Sequence, residues 1–214
     1  MAKILIMTAV EAEKEAVERG IGEVENINVE IAGVGPAQAA ARTAFALTSD
    51  NYDMVMSIGI GGGFKNRAEI GDIMISERLV AGDLGAESKG SFLPIDELGF
   101  GSNEIVADAT SAEQMAKKLT EKGEKVRTGA VLTLSTVTGT EETATMLVQR
   151  FTDACAEAME GFGVASAAAE KDLPVLEVRS ISNLIGPREK ENWNIKEALA
   201  TLEKAGLAIK ELFT

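Results

Sequence analysis

The chain has 214 residues, 45% of them hydrophobic, a formal charge of −13 and no histidine. That length and apolar share predict one domain over residues 1–214, while the negative charge disfavours phosphate backbones and anionic lipid surfaces and leaves small molecules as expected partners. Without histidine, Ser-His-Asp and Cys-His catalysis and any His-based metal site are removed, so catalysis would rest on carboxylates and amides, with no cofactor expected.

Apolar runs rich in Ile, Val, Leu and Met alternate with longer helical patterns, which predicts an α/β fold around a central sheet. In chain order the predicted strands cover 3–8, 28–32, 52–59, 72–80, 126–134 and 174–182, and the predicted helices 9–19, 37–48, 104–122, 140–150, 159–170 and 193–212. The N-terminal run before Glu11 is too short for a signal h-region or a spanning helix, and the single Cys155, read as a buried structural thiol, suits a reducing compartment; both predict a cytoplasmic protein.

The first helix opens Thr8-Ala9-Val10-Glu11-Ala12-Glu13. Thr8 and Glu11 have capping-box spacing, and Glu15 with Arg19 forms an i,i+4 pair. Glu13 has no such partner and falls on the apolar stripe with Val10 and Val17, where it is either a rim carboxylate or a functional one.

Several predicted strands run out into glycine or small polar residues: GVGP after the second, GIGGGF after the third and SNLIGP after the last. Such strand exits are where open α/β sheets bind ligands. Gly59 to Phe64 breaks the dinucleotide fingerprint, with Phe64 where a third glycine belongs and Leu79 where an acidic residue would be. Its turn is either simply flexible or, through Gly61 and Gly62, the floor of a pocket holding a sugar by backbone amides.

AEAMEGFGVA, residues 156–165, places Glu160 among Met159, Phe162 and Val164 between glycines. Glu160 is read either as an anion at a helix N-terminus or as an acceptor for two vicinal ribose hydroxyls, the glycines clearing space for the sugar. Asn183 follows the last strand as a turn former, or as an amide that addresses a base edge offering both donor and acceptor.

MTAVEAE at the N-terminus, GIGGGF with IGD at 70–72, AEAMEGFGVA and VRSISN, in order over essentially the whole chain, resemble the nucleoside phosphorylase and nucleosidase family, which includes the methylthioadenosine/S-adenosylhomocysteine nucleosidases. AGDLGAE (81–87), LSTVTGT (134–140) and SNLIGPREKENWNI (182–195) carry a closer likeness to its futalosine hydrolase branch. The resemblance implies a single α/β domain with a mixed, partly barrel-like sheet, assembled as a homo-oligomer. It further implies that Glu13 activates the attacking water, Glu160 binds the ribose hydroxyls with Met159 packed on the sugar, and Asn183 stabilises the leaving base. Val137, Thr138 and Phe162 are implied as walls for base and sugar.

Three departures refine that expectation. Asn183 stands where adenine-cleaving members have Asp, which points to a 6-oxopurine such as hypoxanthine as leaving group. Ser57 stands where phosphorylases place a phosphate-binding Arg, which points to water as nucleophile. Ile60 replaces a Ser of the adenine-specific nucleosidases and puts one polar contact of their pocket in doubt.

Overall fold

Ile4–Thr8 (β1) is buried at every position, as expected of a strand covered on both faces. In the computed structural model, which describes residues 1–214, β1 lies between the parallel strands Ile27–Ile31 (β2) and Met54–Gly63 (β3). From β3 the sheet passes to Val175–Leu184 (β10), Ile73–Ala81 (β4), Val126–Thr133 (β8) and Ala154–Ala158 (β9), and β9 returns to β3. The ring of strands is closed, and β1 and β2 extend it on one side, so the mixed sheet is partly barrel-like as the resemblance implied.

Six helices flank the sheet: Glu11–Ile21 (α1), Pro36–Ser49 (α2), Ala109–Glu121 (α3), Glu141–Arg150 (α4), Gly161–Ala169 (α5) and Ile195–Phe213 (α6). The largest buried cluster joins β1, β3 and β10 to α1, α5 and α6. Two glycines set the spacing of α1 and α6: a Cβ on Gly20 would stand 1.9 Å from the Glu203 carbonyl oxygen, and one on Gly206 would stand 2.5 Å from that of Val17. No helix is long and apolar enough to cross a membrane.

Four strands were not predicted. Gly85–Ser88 (β5) and Ser91–Pro94 (β6) form a separate hairpin. Glu104–Val106 (β7) pairs with β4, so the predicted helix 104–122 instead begins after Asp108, whose side chain accepts from the Ser111 N–H. β9 is the alanine-rich ACAEA, weak in intrinsic strand preference, and is held extended by ladders on both sides.

Two other expectations are corrected. The glycine run is not a turn: β3 stays extended and paired through Gly63, and β10 likewise carries Asn183 within the strand rather than beyond it. Thr8 caps nothing, since it closes β1 and its hydroxyl faces the Glu30 carbonyl at 3.4 Å. Glu13, not Glu11, is the glutamate that turns back onto the helix start. Arg19 reaches Glu203 rather than Glu15, and Cys155 is only half-buried.

Candidate functional site

The paired β3 and β10 bring a row of polar groups to one place. In β10, Glu177 and Arg179 are two residues apart, so both side chains leave the same face, and the register sets them beside Ser57 and Gly59 of β3. Arg179, 1% exposed, donates from Nε to Glu177 Oε1 at 2.8 Å and from Nη2 to the Ser57 hydroxyl at 2.9 Å, with Nη1 3.5 Å from Glu160 Oε2. Glycine is needed opposite it, because a Cβ on Gly59 would stand 2.5 Å from Arg179 Nη1 and 2.7 Å from Glu13 Oε1.

Glu13 enters this space from the first turn of α1. Its Oε2 accepts from the N–H groups of Ala9 (2.8 Å) and Val10 (3.2 Å), and its Oε1 from that of Ile60 (2.9 Å). Burial pushes its carboxyl above the ordinary glutamate range; Arg179 and the amides of Ile60 and Ala9 pull the other way, and neighbouring Glu160 adds to the rise. The outcome is a fixed carboxylate with a raised proton affinity, suited to taking a proton.

Glu160 sits just ahead of α5, at its positive end. Its Oε1 accepts from the Gly35 N–H and its Oε2 from the Met159 N–H, both at 3.3 Å. Gly35 has φ 91°, a left-handed value that glycine adopts without penalty, and Pro36 follows as the first residue of α2. Contrary to the expectation from sequence, the glycines of the Met-Glu-Gly segment do not clear room for a sugar. A Cβ on Gly161 would stand 2.2 Å from Glu177 Oε2, and one on Gly163 would stand 2.1 Å from the Pro36 carbonyl oxygen. The first glycine makes room for a buried carboxylate and the second for the turn that carries Gly35.

Three carboxylates, Glu13, Glu160 and Glu177, thus surround one guanidinium. For Arg179, burial acts to lower the pKa and is outweighed by Glu177, Glu160 and Glu13, so the guanidinium stays charged. For Glu177 burial dominates and raises the pKa against the pull of Arg179; its Oε2 has no hydrogen-bond partner.

Asn183 is half-buried on the same strand. Its Oδ1 accepts from the Ser182 hydroxyl at 2.9 Å, while its Nδ2 makes only a local 3.2 Å contact with the Leu184 carbonyl. Its register partner is Gly62, where a Cβ would lie 3.4 Å from Asn183 Nδ2. Met159 is half-buried beside Glu160, and the Phe162 N–H donates to the Thr133 hydroxyl at 2.8 Å. Val137 and Thr138 lie in the loop after β8, along a cavity of about 1060 Å³ bounded by the β5–β6 hairpin and α4. The Thr138 N–H donates to Glu157 Oε1 at 2.9 Å.

The structure therefore brings Glu13 and Glu160 together around Arg179, with Gly61 continuing that strand toward Asn183. Arg179, Glu177 and Glu157 escaped the sequence reading. The first two carried a visible signal, since alternate charges inside an otherwise apolar strand share one face. Glu157 was hidden because β9 was not recognised as a strand.

The sequence pattern of the Phosphorylase superfamily matches residues 8–214. The chain belongs to this superfamily. Among its relatives, a futalosine hydrolase of Streptomyces coelicolor is 44% identical over 94% of this chain and 92% of its own length. A futalosine hydrolase of Acidothermus cellulolyticus is 38% identical over 97% and 90%. The solved futalosine hydrolase of Helicobacter pylori, only 18% identical, superposes on this superfamily member with a TM-score of 0.85 over 99% of this chain and 98% of its own, a likeness of fold.

Proposed function

We propose that the protein is a purine nucleosidase, a futalosine hydrolase that cleaves the N-glycosidic bond of futalosine to give hypoxanthine and dehypoxanthine futalosine in menaquinone biosynthesis. The observation that carries this reading is the 44% identity, over nearly the full length of both chains, to a futalosine hydrolase. The geometry of the buried carboxylates supports it.

Cleavage passes through an oxocarbenium-like sugar, so the departing base and the arriving nucleophile both need help, as in glycoside hydrolysis. Glu13, held by three backbone N–H groups, orients and deprotonates water. Glu160 accepts hydrogen bonds from the ribose hydroxyls, and Met159 packs on the sugar. Asn183, its Oδ1 occupied by Ser182, offers Nδ2 to N7 or O6 of the leaving hypoxanthine. Gly61 and Gly62 floor the pocket, and Val137, Thr138 and Phe162 wall it.

Water rather than phosphate is the nucleophile in this reading. Ser57 stands where a phosphorylase would place an arginine, and the buried cation of this site, Arg179, is already committed to Glu177, Ser57 and Glu160. The charge of −13 suits a small-molecule enzyme that engages neither nucleic acid nor membrane. A cytoplasmic homo-oligomer is part of the same reading.

Incubation with futalosine, inosine and methylthioadenosine, with and without phosphate, tests it by product analysis. Hypoxanthine released from futalosine at a phosphate-independent rate is expected. Adenine release from methylthioadenosine with futalosine left intact, or a requirement for phosphate, overturns it.

A further inference from the structure

Glu157 belongs to none of the groups placed so far. It is 5% exposed, its Oε1 is held by the Thr138 N–H at 2.9 Å, and its Oε2 is buried without a partner. An idle carboxylate oxygen in a buried position costs free energy unless something fills it.

The strand register shows where this carboxylate points. Glu157 of β9 is paired with Gly62 of β3, and Gly62 is paired on its other side with Asn183 of β10. Directly paired residues on neighbouring strands project from the same face. Asn183 and Glu157 therefore rise on one face, two strand spacings or about 10 Å apart at the backbone, with a residue lacking a side chain between them. That glycine is sterically required, since a Cβ on Gly62 would meet Ile185 Cγ1 at 2.9 Å. The Ile185 side chain packs over Gly62, so the amide and the carboxylate flank a buried apolar side chain on one face, and Thr138, beside Val137, is tied to the carboxylate end.

We infer that Glu157 is a specificity-determining residue whose free oxygen accepts a hydrogen bond from N1–H of a 6-oxopurine, while Asn183 serves the N7 and O6 side of the same edge. This rests on the reading of the substrate as a 6-oxopurine nucleoside. N1–H, O6 and N7 follow one another along one edge of hypoxanthine, so a carboxylate and an amide flanking Ile185 on one face read it in order. Adenine presents a lone pair at N1, directly against a carboxylate lone pair. Burial pushes the Glu157 carboxyl above the ordinary range, and the Thr138 contact pulls it back; a ring N–H donated to Oε2 acts in the same sense as Thr138.

Free-base binding tests this apart from turnover. Calorimetric titration of the wild-type protein with hypoxanthine, 1-methylhypoxanthine and adenine is expected to show hypoxanthine bound about 10–100-fold more tightly than either, the range for one hydrogen bond to a charged group. Glu157→Gln keeps an oxygen for the Thr138 N–H and puts an amide donor where the carboxylate oxygen was. Hypoxanthine affinity should fall by about that factor while adenine affinity holds or rises. The Thr138 loop should stay in place, read as an unchanged Tm. A variant that keeps the wild-type order and spread of affinities overturns the inference and leaves Glu157 a structural staple for that loop. Should the variant fail to fold, the wild-type titration decides alone, because equal affinity for hypoxanthine and its 1-methyl derivative overturns the inference. If the wild type neither binds hypoxanthine nor cleaves futalosine, the substrate reading falls with it; if it cleaves futalosine without that discrimination, only the role of Glu157 falls.

Discussion

The Ile60 N–H donates to Glu13 Oε1 at 2.9 Å, so a carboxylate on the first turn of α1 is bolted to the middle of β3, which follows it by 47 residues. With the Ala9 and Val10 amides on the other oxygen, the carboxylate has one orientation. Glu13→Gln retains an oxygen for part of this network and loses the basicity. It should lower kcat by about 10²–10⁴-fold while the thermal transition is kept. Wild-type-like kcat in this variant removes Glu13 from the mechanism.

The same carboxyl sets a pH limb. Burial raises its pKa above the ordinary 4.5, and a base works only when deprotonated. kcat/KM should therefore fall on the acid side at a pH higher than an ordinary glutamate would give, because that profile reports the free enzyme. A limb at or below the ordinary glutamate value contradicts the assignment.

Gly59 tests whether the cluster's geometry matters separately from its chemistry. Its Cβ would have to displace Arg179 Nη1 and Glu13 Oε1 together, at 2.5 and 2.7 Å. Gly59→Ala should shift Glu13 off its position and cost about 10²-fold in kcat, the scale of an ångström misplacement. The loss should persist at saturating substrate; a change confined to KM argues against it.

Glu177 gives a stability prediction. Its folded pKa is raised above the ordinary 4.5 by burial, with Arg179 opposing. Over the interval from 4.5 up to the raised value the folded chain keeps a proton that the unfolded chain has released. Stability therefore falls as pH rises through that window, by about 1.4 kcal/mol for each tenfold gain in folded proton affinity. Glu177→Gln removes this dependence. Between about pH 4 and pH 8 the variant should gain in Tm relative to wild type as pH rises. A constant or shrinking difference overturns the sign.

Much of the frame was legible because hydrophobic patterning and local chemistry agreed. β1, β4 and β8 are apolar runs that became strands, and Glu13 and Glu160 stood out as carboxylates in apolar company. What stayed hidden depended on tertiary pairing. β3 runs through three consecutive glycines because strands on both sides hold it, and ACAEA becomes β9 for the same reason. Gly161 looked like clearance for a ligand until the Glu177 side chain beneath it was placed. Face assignment succeeded for Glu13 on a helix, whereas Glu157 required the register of a strand that no local signal announced.

Glu160 bears on the sugar. Its oxygens receive only long contacts, at 3.3 Å from Gly35 and Met159 and 3.5 Å from Arg179, which leaves acceptor capacity for hydroxyl donors. Glu160→Ala should raise KM and lower kcat/KM with kcat little changed, because the positioning contact is present in ground and transition states alike. A 2′,3′-dideoxy nucleoside carries no such donors, so wild type and variant should handle it about equally. If the variant loses as much on the dideoxy substrate as on the natural one, Glu160 acts through Arg179 and not on the ribose.

Asn183 decides which base can leave. Its Oδ1 accepts from the Ser182 hydroxyl and its Nδ2 donates to the Leu184 carbonyl, which leaves the second N–H of Nδ2 as the donor it can offer a base. Replacing it by Asp makes that donor available only in the acid form, and the ionised form would repel O6 while accepting from a 6-amino group. Asn183→Asp should therefore depress kcat/KM for futalosine and inosine relative to methylthioadenosine, moving the ratio by about tenfold or more, the size of one hydrogen bond to a charged group. Glu157 limits how far the preference can turn, since adenine still presents its N1 lone pair to that carboxylate. The combined Glu157→Gln, Asn183→Asp variant should shift further toward the 6-aminopurine than either change alone. An unchanged ratio in the single Asn183→Asp variant would place base selection elsewhere in the pocket.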